Sequence, residues 1–234
     1  MSTIKVMSAG AVQSMVTVLG PEFERETGHT LNLNFNTVGS LRKRLEGGEV
    51  TDVAILSESA IAALDKSGLF VPGSITNLGA TITGVVIKEG AAAPDISTPE
   101  AFKQALLQAR GVSYSDPAAG GSSGTYFAGL LEKLGIAAAV KPKAVLGKRG
   151  FEVAQAVADG RAEIGTTFIS EALTVKGCKV VGPLPGELHN TNTYTAAIHA
   201  RSAAPDAARA FIRALTDPAG RQRWIAAGLE PAFR

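Results

Sequence analysis

Ser115-Asp-Pro-Ala-Ala-Gly-Gly-Ser-Ser-Gly-Thr-Tyr126 runs straight into Phe127-Ala-Gly-Leu-Leu-Glu-Lys-Leu-Gly135. An apolar strand, Gly111-Val-Ser-Tyr-Ser, ends here and an amphipathic helix begins. The loop between them holds only small, hydroxyl and turn-forming residues. Glycines let backbone N–H groups approach a ligand closely. Ser122, Ser123, Gly124 and Thr125 bring hydroxyls and amides to a helix start, where N–H groups lack partners and the dipole is positive. That chemistry suits an anion. It also suits an ordinary helix cap, and the segment alone does not choose between the two.

The same strand-loop-helix pattern extends in both directions. Upstream, Ile4-Lys-Val-Met reads as a buried strand and Ala11 to Thr27 as a helix, which Gly20-Pro21 is expected to break or kink. Thr30-Leu-Asn-Leu-Asn-Phe-Asn alternates as a strand does. Gly39-Ser-Leu-Arg-Lys-Arg-Leu-Glu opens a helix closed by Gly47-Gly48, and Asp52-Val-Ala-Ile-Leu is a further strand before a helix from Ser57 to Lys66. Ile82-Thr-Gly-Val-Val-Ile-Lys is a long strand. A second alternating series follows it: a helix from Thr98, then strand 112–115, helix 122–134, strand 143–146, helix 151–158 and strand 163–168. Thr193-Tyr-Thr-Ala-Ala-Ile-His forms another long strand, and helices over 204–215 and 218–227 finish the chain. The fold class expected is therefore α/β, with mixed sheets covered by helices on both faces. Two lobes are expected, 1–80 plus 195–234 and 81–194, joined by two crossing strands that act as a hinge. Ligands of such sheets sit beyond the carboxyl ends of the strands, which here implies a cleft between lobes.

Composition narrows the classes. Hydrophobic residues make up 45% and charged residues 19%, a globular rather than a disordered balance. A net charge of +2 and the lack of a basic tract argue against a nucleic-acid partner. Apolar runs are only strand length, so the chain is not expected to span a membrane. Cys178 is the only cysteine and reads as a small buried residue beside Val180 and Val181. His29, His189 and His199 are scattered without metal-ligand spacing, so neither a metal site nor a cofactor is expected. Met1-Ser-Thr-Ile-Lys-Val-Met enters a strand directly. If Met1 is the native start, a cytoplasmic protein is expected; if a leader was removed, a periplasmic one.

Several loops at strand ends share the Ser, Thr and Gly character: Ser8-Ala-Gly10-Ala11, Asn36-Thr37-Val38-Gly39-Ser40, Ser57-Glu58-Ser59, Lys148-Arg149-Gly150 and Thr166-Thr-Phe168-Ile-Ser170. Several such helix starts together would surround an anion with donors. Arg149 is the sharpest candidate, because its guanidinium forms a fork that matches a carboxylate or phosphate. Arg42 and Lys43 read as a solvated helix face, since Leu41 and Leu45 take the buried positions.

In these segments the chain resembles the type 2 periplasmic solute-binding proteins, most closely the molybdate-binding branch. The resemblance rests on Lys5-Val-Met-Ser-Ala-Gly-Ala-Val, Gly39-Ser-Leu-Arg-Lys-Arg-Leu-Glu-Gly-Gly with Thr51-Asp-Val-Ala-Ile-Leu-Ser, Ser115-Asp-Pro and Asp159-Gly-Arg-Ala-Glu-Ile-Gly, in order along nearly the whole chain. It implies a protein that captures a small anion and delivers it to an ABC-type permease. Family members that bind molybdate hold it with serine hydroxyls, backbone amides and a tyrosine hydroxyl. The resemblance sets those positions at Ala11, at Val38 with Gly39 and Ser40 beside it, at about Ser123, at about Gly150 and at Phe168. Three hydroxyls are thus lost. Each hydrogen bond to a charged group contributes about 1.5–3 kcal/mol, so the losses argue against a small tetrahedral oxyanion. Ser8, Thr37, Ser40 and Ser122 stand near enough to compensate. A larger organic anion is expected, and Arg149 favours a di- or tricarboxylate.

A different class stays open. Some relatives of this family resemble isomerases of unsaturated tricarboxylates such as aconitate. That chemistry needs a base to move a proton between carbons and donors to hold the developing charge. Glu152, Glu58 and Lys148 are the candidate bases. A cytoplasmic ligand sensor is a third reading, although no DNA-binding helix pair is visible in the sequence.

Overall fold

The computed structural model describes residues 1–234. Backbone contacts divide the chain into two units, Met1–Thr81 with Asn192–Arg234, and Ile82–Thr191.

The first unit opens with β1 (Thr3–Ala9), a short 3-10 turn over Gly10–Val12 and α1 (Gln13–Thr27). β2 (Thr30–Asn36), α2 (Val38–Glu46), β3 (Val53–Ser57) and α3 (Glu58–Asp65) follow. β1 lies between β2 and β3 and pairs with both in parallel, Val6 opposite Leu33 and Val53. α1 runs through Gly20-Pro21 without a break, against the expectation of an interruption. Pro21 is exposed, so the carbonyl it leaves unpaired one turn earlier is in reach of water. Gly20 faces inward: a Cβ there would stand 3.2 Å from Leu31 Cδ1, so the helix packs closely on β2 at this point.

β4 (Thr76–Lys88) carries the chain into the second unit, where α4 (Pro99–Gln108), β5 (Val112–Ser115), α5 (Ser122–Lys133), α6 (Ala137–Val140), β6 (Ala144–Gly147), α7 (Gly150–Ala158), β7 (Ile164–Phe168), α8 (Ile169–Ala172) and β8 (Cys178–Pro183) follow. β5 is central, parallel to β6 on one side and β7 on the other. Ser115 lies opposite Gly147, and Tyr114 opposite Thr166. β4 runs antiparallel to both β7 and β8, with a register shift between Val85 and Val86. Val85, Phe102, Leu106, Phe127 and Leu131 fill the core between this sheet and its helices, and Tyr114 packs against Phe127 with the rings tilted and their centres 5.1 Å apart. Cys178 opens β8, which pairs with β4, and is only half-buried rather than enclosed. Burial still pushes its thiol up to about 11.

β9 (Thr191–Ile198) returns to the first unit and pairs antiparallel with β3, Ile55 opposite Ala196. α9 (Pro205–Leu215), α10 (Arg221–Ala226) and β10 (Leu229–Pro231) complete the chain, with β10 against the first residues of β4. Met7, Leu41, Leu56, Ile61 and Phe70 form the core beneath α2 and α3. Asp52 ties the returning segment down. Its Oδ1 accepts the Ser202 hydroxyl at 2.6 Å and the Ala203 and Ala204 N–H groups at 2.9 and 3.2 Å, and its Oδ2 accepts the Lys5 N–H at 2.8 Å. No helix is long and apolar enough to cross a membrane.

Candidate functional site

In the second unit the carboxyl ends of three adjacent parallel strands each feed a helix: β5 leads to α5, β6 to α7 and β7 to α8. The helix starts therefore share one edge of the sheet, and their amide groups share it too. The loop after β5 is held by Asp116. Its Oδ1 accepts the Ala118 N–H at 2.9 Å, and its own N–H reaches Gly147 O on the neighbouring strand at 2.7 Å.

α5 starts at Ser122 behind Gly121, with no side chain capping its first amides. Gly124 is what lets the helix sit here. A Cβ on it would lie 2.1 Å from the Ser115 carbonyl oxygen, inside any real contact distance. Ser123 is buried and Ser122 partly exposed. The Thr125 hydroxyl donates back one turn to Gly121 O at 3.0 Å. Ser115 Oγ, 1% exposed, has no hydrogen-bond partner.

α7 starts at Gly150 behind Arg149, whose own side chain does not cap it. Arg149 spreads its guanidinium over the Phe151 ring, 4.5 Å from the centroid, and stands 3.7 Å from Glu152 Oε1. Glu152 reaches back to accept the Lys148 N–H at 2.9 Å, which is a helix-start bond and occupies one oxygen of this candidate base. Lys148 itself is exposed.

The Gly150 N–H donates to Glu171 Oε1 at 3.2 Å. A Cβ on Gly150 would fall 2.0 Å from Glu171 Oε2 and 2.4 Å from Thr167 Oγ1. The glycine is thus required by a carboxyl and a hydroxyl that fill the place where a side chain would begin. Thr167 is fully buried and its hydroxyl has no partner. Burial pushes Glu171 up to about 7, against the pull of the Gly150 N–H and of Arg149. Phe168, the residue before α8, is buried.

In the first unit Ser8 is fully buried near the end of β1 and donates to Ala9 O at 3.3 Å. Gly10 and Ala11 lie in the turn after β1. Thr37 caps α2, its Oγ1 accepting the Ser40 N–H at 3.2 Å, and Val38, Gly39 and Ser40 form the first turn. Glu58 is exposed in the first turn of α3.

The structure thus gathers Ser122, Ser123, Gly124, Lys148, Arg149, Gly150, Glu152 and Phe168 at one edge of the second unit. Ser8, Gly10, Ala11, Thr37, Val38, Gly39, Ser40 and Glu58 belong to the first. Glu171 and Thr167 were missed. The only signal for Glu171 in the sequence is a lone acidic residue just past an apolar strand.

These elements are those of the type 2 periplasmic-binding-protein fold. The structure overlays on the periplasmic molybdate-binding protein of Azotobacter vinelandii with a TM-score of 0.74 at 22% identity, covering 97% of this chain and 98% of that one. Residues 4–230 match the model of the bacterial extracellular solute-binding proteins, and the chain belongs to that family. Among its relatives, an aconitate isomerase of a Pseudomonas species is 30% identical over 238 residues, 98% of this chain and 88% of its own. The molybdate-binding protein ModA of A. vinelandii is 26% identical over 227 residues, 92% of this chain and 84% of its own.

Proposed function

We propose that this solute-binding protein takes a di- or tricarboxylate, with aconitate as the leading candidate, rather than molybdate. The observation that carries this reading is Arg149 at the start of α7. Its planar fork lies on Phe151 at the positive start of α7, an arrangement that matches a carboxylate in charge and shape. Ala11, Val38 and Phe168 stand at the positions implied for molybdate-binding hydroxyls and carry none. Ser122, Ser123 and the first amides of α5 supply the remaining donors. An ABC-type permease is the partner this reading implies.

A second reading, an isomerase of an unsaturated tricarboxylate on the same scaffold, is favoured by the Pseudomonas relative and by Glu171, a buried carboxyl poised near neutrality beside the proposed seat. A panel of molybdate, tungstate, sulfate, phosphate and cis- and trans-aconitate tests the ligand by thermal shift. A ligand at about 100 times its Kd stabilises by about 2.7 kcal/mol. Stabilisation by aconitate and not by molybdate supports the carboxylate reading; the reverse refutes it.

A further inference from the structure

We propose that Glu171 is the general base of a proton transfer on the bound tricarboxylate, with Thr167 as the hydroxyl beside it under the start of α7. The inference rests on the carboxylate reading above and deepens it.

Glu171 is 8% exposed, and one of its oxygens stands where the first side-chain atom of residue 150 would be. Because residue 150 is glycine, no side chain covers that oxygen from the α7 side. A ligand carboxylate drawn to Arg149 and the α7 amides brings its neighbouring carbons to this same spot. Thr167 Oγ1, wholly buried and without a partner, stands beside the same point and can donate to a ligand oxygen there. A buried hydroxyl left unpaired is costly, which is understandable if a ligand completes it.

The charged surroundings set the base strength. α7 brings Arg149 and Glu152, β7 has no ionisable side chain, and β8 brings Cys178 and Lys179. Arg149 is the charge that acts on Glu171, and burial opposes it, so the carboxyl titrates at about 7. A base in that range is ionised for a useful fraction of the time and still strong enough to take a carbon-bound proton.

The step balances without a co-reactant. The Glu171 carboxylate removes a proton from the ligand's methylene carbon. The C–H electron pair moves into the adjacent double bond and carboxylate, giving a delocalised dienolate with one more negative charge than the bound ligand. Arg149 and the helix-start amides hold the added charge. The protonated Glu171 then returns the proton to the carbon at the far end of the three-carbon unit, and the double bond has moved one position.

The test follows cis- and trans-aconitate in D2O by proton NMR, with binding measured separately by calorimetry. The wild-type protein is expected to bind aconitate, exchange its methylene protons and interconvert the isomers, faster as pH rises through about 7. Glu171→Gln is expected still to bind aconitate, at least as tightly once the repulsion between carboxylates is gone, and to lose exchange by about 10²–10⁴-fold. Binding without exchange in the wild type overturns the role of Glu171 and leaves the carboxylate reading standing. Exchange in Glu171→Gln within tenfold of wild type overturns it too. Absence of aconitate binding overturns the carboxylate reading itself. If Glu171→Gln does not fold, Glu171→Asp and the wild-type pH profile decide: a flat profile across pH 6–8 contradicts the proposal.

Discussion

Glu171 Oε1 accepts the first amide of α7, the N–H of Gly150, at 3.2 Å. An internal carboxyl therefore occupies the amide at which the resemblance to molybdate-binding proteins implies a ligand contact. An incoming anion must share that amide with Glu171 or displace it, and like charges repel unless one is protonated. This relationship connects the ligand reading to proton chemistry.

Thr167→Val separates folding from function at this seat. The hydroxyl is buried without a partner, so replacing it with a methyl is expected to stabilise the protein by roughly 1 kcal/mol. If the hydroxyl completes a bond to ligand, aconitate affinity falls by about tenfold in the same variant. Chemical denaturation and calorimetry on one preparation measure both.

Arg149→Lys keeps the charge and removes the fork. Aconitate affinity is expected to drop by about tenfold, with stability unchanged, since the residue is partly exposed and its contact to Glu152 is long. Equal affinity in calorimetry would show that Arg149 acts only as a point charge.

Gly124→Ala tests the approach of α5 to β5. Its Cβ would lie 2.1 Å from a backbone oxygen, which cannot swing aside as a side chain can. A loss of about 1–3 kcal/mol or more is expected in urea denaturation.

Asp52 governs acid stability. Burial pushes its carboxyl up, but the Ser202 hydroxyl and the Lys5, Ala204 and Ala203 amides outweigh this and hold it below the usual carboxylate range. A carboxyl lowered in the fold stabilises above its unfolded value of 3.8, and that stability is lost as pH falls further. His199 acts at higher pH. Burial, then Arg201, lower it against the pull of Asp52, so it prefers to be neutral and costs stability as pH drops below 6.5. Melting temperature is expected to fall in a lower stage below pH 3.8 as Asp52 is protonated; above it, the loss from His199 below 6.5 is opposed by Glu171, which gains stability as pH falls from about 7 towards 4.5. Asp52→Ala, which orphans several donors, is expected to cost roughly 3 kcal/mol or more at pH 7 and to abolish the lower stage.

Most of the fold was legible because β1, β3, β5 and β7 are short apolar runs, each followed by a glycine- or hydroxyl-rich helix start. β8 and β10 were not, since each depends on pairing with a distant part of β4 rather than on its own periodicity. Pro21 misled because its effect depends on whether the orphaned carbonyl meets water. In the site, Arg149 and Gly150 stood out as a cation and a glycine at a helix start. Glu171 did not, because its meaning lies in an amide 21 residues away. Ser8 looked like a loop hydroxyl and proved to belong to the strand, because β1 extends to Ala9.

Side-by-side calorimetry of aconitate and molybdate at pH 7 tests the central claim most directly. The account predicts saturable aconitate binding, weakened in Arg149→Lys, with no measurable heat from molybdate. Tight molybdate binding with no response to aconitate would contradict it.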